Sequence, residues 1–233
     1  MTQGNPMKIQ AVLFDVFGTL LDTSSIARRA DQLFPGNGLA LAQRWREKQL
    51  EYTRLRSMGG RYVNFTQLTE DALLVAADGL RVPIDAAARG MLMHEYGRLD
   101  THADVLPALK RMKQTGVTLG VLSNGDAALL EEALHAAELD DYLDLVLSAD
   151  LVQTYKPAPA VYELGPQTLK CAAADILMVS ANAWDAVGAA WAGYQSVWIN
   201  RTEQPAERLG ATLAASGRTL EAASRYLTEH RAT

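Results

Sequence analysis

The segment VLFDVFGTLLD at residues 12–22 places an ionisable side chain at the end of an apolar run. Asp15 follows a stretch that is typical of a buried strand, and Phe17 stands two positions after it. A carboxylate held near a substrate can act as a nucleophile and form a covalent ester. Four other apolar runs also end in polar side chains, namely Ser123 with Asn124, Ser148, Ser180 with Asn182, and Asn200. We therefore expect these groups to share one site with Asp15.

The elements that position these side chains follow from the apolar runs. The runs predict five strands buried on both faces, at 9–15, 117–124, 142–150, 175–182 and 194–200. Their near-continuous hydrophobicity is typical of a parallel sheet. Helical patterns alternate with the later strands, at 126–138, 158–170 and 185–192. The sequence therefore predicts an α/β fold, with a Rossmann-like open parallel sheet that is flanked by helices and binds ligands at the carboxyl ends of its strands.

The first two predicted strands are separated by about a hundred residues, which is too long for a structureless loop. This stretch carries helical patterns, including 39–57, 66–78 and 85–97, and no convincing strand. We therefore predict a helical cap subdomain over residues 21–103, inserted after the first strand. The α/β core domain would then consist of residues 1–20 and 104–233.

Composition and charge restrict the class of protein. The chain has 233 residues and a formal net charge of −5, without the clustered Lys and Arg that nucleic-acid binding requires. Its one cysteine, Cys171, excludes an internal disulfide framework and is compatible with a reducing compartment. No apolar segment approaches the roughly 20 residues needed to span a bilayer, and the N-terminus lacks the apolar core of a signal peptide. We expect a cytoplasmic protein that binds neither nucleic acid nor membranes.

Four short motifs resemble those of the haloacid dehalogenase (HAD) superfamily: DVFGTL at 15–20, LSNG at 122–125, YKP at 155–157 and SANAWD at 180–185. Their order and spacing cover nearly the whole chain. The segments WREKQLEYTRLRS and RYVNF of the predicted insert are similar to the L-2-haloacid dehalogenases in particular. This resemblance implies a HAD core with a cap, and hydrolysis of short-chain (S)-2-haloalkanoic acids to (R)-2-hydroxy acids and halide.

Two departures distinguish this sequence from the phosphatases of the superfamily. Phe17 stands where those enzymes commonly carry a second Asp that protonates a leaving alkoxide. A halide needs no proton, because its conjugate acid is strong. Asn182 stands where their fourth motif presents an acid that helps to hold Mg²⁺, which favours carboxylate oxygens. We therefore expect the reaction to need no metal and no other cofactor.

The resemblance implies a role for each matching residue. Asp15 would be the nucleophile, Lys156 the cation that keeps it ionised, and Asp185 the holder of Lys156 or of the hydrolytic water. Thr19 would orient Asp15, and Arg46 would face the departing halide. The other implied positions are Ser180 and Asn182 on the polar wall, Ser123 and Asn124 at the substrate carboxylate, Phe17, Leu50, Phe65 and Trp184 around the halogenated carbon, and Tyr162 near Lys156.

The helical pattern at 39–57 bears on the choice of Arg46. Helical spacing predicts one apolar stripe made of Leu41, Trp45, Tyr52 and Leu55. Arg46 and Leu50, four positions apart, would share an adjacent face. If that face overhangs the sheet, the guanidinium would be aimed at the departing halide. Spacing alone does not choose among the neighbouring arginines, which include Arg54, Arg56 and Arg61. The family match WRxKQLEY selects Arg46.

Two alternative functions stay open at this point. The first is a Mg²⁺-dependent phosphatase of the same superfamily that acts on a small phosphorylated metabolite, which Phe17 and Asn182 argue against. The second is a non-catalytic relative that binds a small anion. A dinucleotide-binding domain is disfavoured because no GxGxxG follows the first strand. The resemblance also leaves a homodimer open, although no stretch of the sequence marks an interface.

Overall fold

The structure is a computed structural model that describes residues 9–230. Within this range six strands form one sheet, and they are β1 (Ala11–Phe14), β2 (Thr118–Ser123), β3 (Leu145–Ser148), β4 (Ile176–Ser180), β5 (Gln195–Ile199) and β6 (Ala215–Gly217). Their order is β3-β2-β1-β4-β5-β6, and every neighbouring pair is parallel. The predicted open parallel α/β sheet is confirmed. The outer ends of the predicted core domain, residues 1–8 and 231–233, lie outside the described residues.

One predicted strand was too long, and one strand was not predicted. The predicted strand at 142–150 is confined to β3, because Asp140–Tyr142 and Ala149–Val152 each form a short 3₁₀ turn. The sequence analysis missed β6, whose three residues Ala-Ser-Gly are at most half-buried. A short, small-residue strand at a sheet edge has no hydrophobic run to mark it.

The helices of the described range surround this sheet and also fill the long segment between β1 and β2. They are α1 (Ser24–Leu33), α2 (Gly38–Gly59), α3 (Phe65–Leu80), α4 (Ala86–Glu95), α5 (Val105–Lys113), α6 (Ala127–Ala136), α7 (Pro159–Leu169), α8 (Ala183–Trp191) and α9 (Glu221–His230). The six predicted helical ranges match α2, α3, α4, α6, α7 and α8 to within two residues at each end. Among these residues no helix has both the length and the apolar character needed to cross a membrane.

Helices α1 to α4 pack on one another, with α2 against α1 and α3, and α4 against the same two helices. The buried face of α2 differs from the predicted stripe. Leu55 is 55% exposed and Tyr52 only partly buried, whereas Gln49 and Thr53 are buried. The prediction considered apolar residues only, and a polar side chain can be buried when a hydrogen-bond partner faces it. Gln49 has such a partner in Thr69 of α3, at 2.8 Å.

The order of the strands in the sheet indicates where a ligand-binding site is expected. The chain runs from β1 to β2 and β3 on one side and returns to β4 and β5 on the other, so the topological switch point lies between β1 and β4. In open α/β sheets ligands bind beyond the carboxyl ends of the strands at this point. Asp15 directly follows β1, and its backbone N–H donates to the carbonyl of Val179 in β4 at 2.9 Å. Ser180 ends β4 beside it.

Candidate active site

Four side chains converge on the carboxylate of Asp15, which is 7% exposed. One oxygen, Oδ2, accepts hydrogen bonds from Thr19 Oγ1 at 2.9 Å and Asn182 Nδ2 at 2.8 Å, with Ser180 Oγ at 3.5 Å. The other oxygen, Oδ1, lies 3.3 Å from Lys156 Nζ. The structure therefore brings together one acid, one cation and three neutral donors from three different predicted motifs.

Lys156 joins Asp15 to a second buried acid. Its Nζ lies 2.9 Å from Asp185 Oδ2, and the other oxygen of Asp185 accepts a 2.7 Å hydrogen bond from the Tyr162 hydroxyl. Asp185 lies in the first turn of α8, and Tyr162 lies on α7. The interpretation of Asp185 as the holder of Lys156 agrees with this geometry, and its proposed contact with the hydrolytic water stays a prediction.

The electrostatics of this cluster are dominated by burial. Burial raises the pKa of Asp185, which Asp15 raises further, and the ammonium of Lys156 opposes both effects without cancelling them. Burial, together with the neighbouring Asp185, also raises the pKa of Tyr162 well above its usual range. Tyr162 is therefore a hydrogen-bond donor to the carboxylate at ordinary pH.

Arg46 reaches this cluster from α2. Its Nη2 donates to Asn182 Oδ1 at 3.2 Å, while its Nη1 donates to Gln49 Oε1 at 2.6 Å. Of the other arginines considered from the sequence, Arg56 pairs with Asp71 at 3.3 Å, and Arg54 lies 5.8 Å from the centre of the Trp184 ring. Arg46 thus brings a second basic side chain, besides Lys156, to the edge of the site.

Aromatic rings form one wall beside Asp15. Phe17 stacks on Phe65 with the ring centres 5.7 Å apart and meets the edge of Tyr96 at 5.8 Å. Phe65 in turn meets Tyr155 at 6.3 Å. Phe17 and Phe65 are 4% and 3% exposed. The predicted pocket position of these two residues is compatible with this packing, and their contact with substrate stays a prediction.

The two remaining predicted pocket residues, Leu50 and Trp184, are partly buried. Trp184 sits in the first turn of α8 under Arg54. Arg54 also lines a cavity of 370 Å³ together with Ser57, Met58, Tyr155, Lys156, Pro157 and Ala158. A role for Trp184 at the halogenated carbon remains a prediction.

The side chains of Ser123 and Asn124 accept hydrogen bonds from backbone N–H groups around the site. Asn124 Oδ1 accepts the backbone N–H of Lys156 at 2.9 Å, and Ser123 Oγ accepts the N–H of Gly125 at 3.1 Å. Ser148 donates to the carbonyl of Gly125 at 2.7 Å and so supports the same loop. The contact between Asn124 and Lys156 joins the LSNG and YKP segments. Binding of a substrate carboxylate by Ser123 and Asn124 stays a prediction.

The expectation that all five strand ends share the site is wrong for Asn200. Its side chain accepts the N–H of Gln204 and donates to the carbonyl of the same residue, both at 2.8 Å. These two bonds close a turn after β5, so Asn200 serves local structure. Side chains at strand ends often satisfy nearby backbone groups in this way.

Sequence reasoning missed Arg201, the residue after Asn200. Its guanidinium donates to the backbone carbonyl of Thr19 and to Asp104 Oδ1, both at 2.9 Å. The backbone of Thr19 is therefore anchored by Arg201, while its hydroxyl donates to Asp15. Gln49 was missed too, although its position in the WREKQLEY match, four residues after Trp45 on the buried face, was the available signal.

The hydrogen-bond donors around Asp15 bear on whether the site can bind a metal ion. The amide nitrogen of Asn182 and the ammonium of Lys156 donate to Asp15, at positions where a cation would need oxygen ligands. Between residues 9 and 230, no three His, Cys, Asp or Glu side chains are grouped so that they could hold a metal ion. The residues present do not fit a Mg²⁺ centre of the phosphatase kind, and a cofactor-free reaction stays a prediction.

The comparisons with known proteins agree with the motifs. An (S)-2-haloacid dehalogenase from Pseudomonas sp. (strain YL) is 45% identical over 204 residues, covering 88% of each chain. A crystal structure of an L-2-haloacid dehalogenase matches with a TM-score of 0.93 and 43% identity, covering 95% of this chain and 99% of the other. The structure of an L-2-haloacid dehalogenase from Xanthobacter autotrophicus with chloropropionic acid covalently bound matches with a TM-score of 0.89 and 29% identity. The match covers 96% of this chain and 100% of the other.

The family model for haloacid dehalogenase-like hydrolases matches residues 9–193, which include Asp15, Lys156 and Asp185. The resemblance read from the four motifs is thereby confirmed, and this chain belongs to the family of haloacid dehalogenase-like hydrolases.

Proposed function

We propose that this protein hydrolyses short-chain (S)-2-haloalkanoic acids to (R)-2-hydroxy acids and halide. The observation that carries the proposal is the carboxylate of Asp15 at the sheet's switch point, with Lys156 and three neutral donors around it. Relatives that are (S)-2-haloacid dehalogenases, at 45% and 40% identity, support the choice of substrate.

In the first step Asp15 attacks C2 of the substrate from the side opposite the halogen. Two short hydrogen bonds crowd Oδ2, so we take Oδ1 as the attacking oxygen. A new C–O bond forms while the carbon–halogen bond breaks, and the halide leaves with the electron pair. The product of this step is an ester between substrate and enzyme, and C2 is inverted once.

In the second step water attacks the ester carbonyl carbon of Asp15. The negative charge that develops on Oδ2 is stabilised by Thr19 and Asn182, which already donate to that atom. The bond between Oδ1 and the carbonyl carbon then breaks. One proton of the water passes to the oxygen of the hydroxy acid, the other proton is released to solvent, and Asp15 is restored as a carboxylate. C2 is not touched in this step, so the inversion is retained.

Positive charge is what makes the approach of two anions feasible. The substrate carboxylate adds one negative charge to a site that already holds Asp15 and Asp185. Lys156 lies between those two acids, and Arg46 stands at the edge through its contact with Asn182. We infer that Arg46 stabilises the departing halide, because a guanidinium is an always-charged donor of several hydrogen bonds.

A single-turnover experiment tests the covalent step. Enzyme in excess over 2-chloropropionate, in ¹⁸O water with EDTA, is expected to release halide while the heavy oxygen enters Asp15 and not the first-formed hydroxy acid. Mass spectrometry of the peptide that contains Asp15 measures the label. Label in the hydroxy acid with an unlabelled enzyme would instead mean direct attack by water, and loss of activity on chelation would mean a required metal.

Asp15→Ala should reduce halide release to below a few per cent of wild type, since a lost nucleophile cannot be replaced by binding interactions alone. Asp141→Asn is the matched control, because Asp141 is an exposed acid in a surface turn. Halide release is measured with circular dichroism as a check on folding. A folded Asp15→Ala variant with substantial turnover would contradict the assignment.

A further inference from the structure

Gln49 is a fully buried amide with no part in the proposed chemistry. It lies on the face of α2 that packs against α3 and is 0% exposed. Its carbonyl oxygen accepts the 2.6 Å hydrogen bond from Arg46 Nη1, and its nitrogen donates to Thr69 Oγ1 at 2.8 Å and towards the Tyr96 hydroxyl at 3.4 Å. Burying an amide costs free energy unless its atoms are paired, and here both ends are paired.

The partners of Gln49 are themselves held in place. The backbone carbonyl of Thr69 accepts the Trp45 indole N–H at 2.7 Å, and the Tyr96 ring meets the edges of both Trp45 and Phe17, at 5.2 and 5.8 Å. The amide therefore has one orientation that satisfies both α3 and Arg46. This network connects the core of the inserted helices to the edge of the candidate active site.

The chemical character of Gln49 matters for Arg46. A free arginine side chain has many rotamers, and a fixed acceptor at one nitrogen restricts the direction in which the other nitrogens point. The Gln49 oxygen is neutral, so it orients the guanidinium without cancelling its charge. A carboxylate at the same place would form an ion pair and reduce the field of the guanidinium at the halide.

We propose that Gln49 is a positioning residue that aims Arg46 at the departing halide and thereby sets how strongly the rate depends on the halogen. This inference rests on the proposed function, in which Arg46 assists departure. Chloride is a poorer leaving group than bromide, so carbon–chlorine cleavage depends more on a correctly placed donor. A guanidinium moved by about 1 Å can lose much of its effect on a transition state.

The test measures halide release in single turnovers from 2-chloropropionate and 2-bromopropionate, so that ester hydrolysis does not mask the first step. Gln49→Met removes the acceptor at similar size, and Gln49→Glu keeps an acceptor but neutralises Arg46. Both variants are expected to lower the chloride rate about tenfold and the bromide rate less. Gln49→Met does so because it loses one hydrogen bond to a charged group, and Gln49→Glu because the ion pair reduces the charge that the departing halide meets. Gln43→Met on the exposed side of α2 should leave both rates unchanged.

A double variant separates positioning from general stability. If Gln49 acts through Arg46, then Arg46→Ala with Gln49→Met should be no slower than Arg46→Ala alone. Additive losses, or equal losses for chloride and bromide in folded Gln49→Glu, would overturn the role of Gln49 while leaving the dehalogenase proposal standing. A wild-type protein that releases no halide from either substrate would overturn both.

Discussion

Asp185 shows how a single buried side chain can organise the site. It is fully buried and uses one oxygen for Lys156 and the other for Tyr162. A buried charge is tolerated only when it is paired and its remaining lone pairs are satisfied. The pKa of Asp185 is raised by burial, so each of its two partners helps to keep it ionised. The resemblance placed Tyr162 near Lys156, and in the structure it reaches Lys156 through Asp185.

Tyr162→Phe tests this arrangement. Loss of the 2.7 Å hydrogen bond should raise the pKa of Asp185 further, because one oxygen of a buried carboxylate loses its donor. Protonated Asp185 no longer attracts Lys156, so the acid limb of the profile of kcat/KM against pH should move to higher pH. We expect kcat to fall about tenfold at neutral pH, in line with the cost of an unsatisfied charged group.

Tyr226→Phe is the matched control for this measurement. Tyr226 lies on α9, and its hydroxyl donates to Gln195 at the start of β5, away from the site. Its pH profile should coincide with that of wild type. An unchanged acid limb in a folded Tyr162→Phe protein would show that the hydroxyl does not help to ionise Asp185.

At the scale of elements, the turn after β1 is anchored by residues far away in the chain. Arg201 follows β5 and donates to the carbonyl of Thr19, and Asp104 before α5 accepts from Arg201 and from the backbone N–H of Leu220 at 2.7 Å. His102 contacts the carbonyl of Gly18 at 3.3 Å, and Gly18 has a φ of +88°, a conformation that favours glycine. The turn that carries Thr19 is thus held by side chains outside the four motifs.

The anchoring by Asp104 predicts a pH dependence of stability. Burial by itself would raise the pKa of Asp104, but the hydrogen bonds from Leu220 and Arg201 outweigh it and the pKa is lowered. A carboxyl with a lowered pKa in the folded state stabilises the fold above its unfolded pKa of about 3.9 and loses this effect as the pH falls through its folded pKa. The stabilisation by Asp104 should therefore be complete at neutral pH and fade in acid.

Urea unfolding of wild type and Asp104→Asn at several pH values measures this effect. The difference in free energy of unfolding should be constant above about pH 5 and shrink as the pH falls below about 4. Asp141→Asn, which changes an exposed acid, should differ little from wild type at any of these pH values. A difference for Asp104→Asn that persists undiminished in acid would mean that charge at Asp104 is not what stabilises the turn.

At the scale of the whole molecule, hydrogen bonds join the helices between β1 and β2 to the rest of the described residues. Asp126 Oδ2 accepts from both the backbone N–H and the hydroxyl of Thr66, at 2.8 and 2.6 Å. Tyr155 donates to the carbonyl of Val63 at 2.6 Å. We propose that residues 21–103 form a cap subdomain, with these hydrogen bonds and the Arg46–Asn182 contact holding it over the site.

Tyr62→Phe tests the strength of this junction. The Tyr62 hydroxyl donates to Asp150 Oδ1 at 2.6 Å across the two parts. Its loss should lower the free energy of unfolding by about 1 kcal/mol, the usual net value of such a bond, as measured by urea denaturation. Tyr142→Phe is a suitable control, because the Tyr142 ring lies under Lys110 within the sheet domain. Equal stability of Tyr62→Phe and wild type would show that the junction depends on other contacts.

Local patterns in the sequence were enough to predict most strands and helices and most residues of the candidate site. Apolar runs and helical periodicity predicted β1 to β5, with too long a range for β3, and six helices, because strand and helix periods are visible in short windows. The four motifs, read against a known family, selected Asp15, Thr19, Lys156, Ser180, Asn182 and Asp185, which the structure brings to one place. Cytoplasmic location, a homodimer and the lack of a cofactor remain predictions.

Tertiary structure alone decided which buried polar groups meet. The sequence analysis assigned Gln49 no partner, Arg201 lay outside every motif, and Asn200 was expected at the site but closes a local turn. The physical reason is that a buried donor must find an acceptor, and the acceptor can lie anywhere in the chain: Arg46 and Asn182 are 136 positions apart, and Arg201 and Thr19 are 182 apart. Periodicity within one element carries no information about such partners.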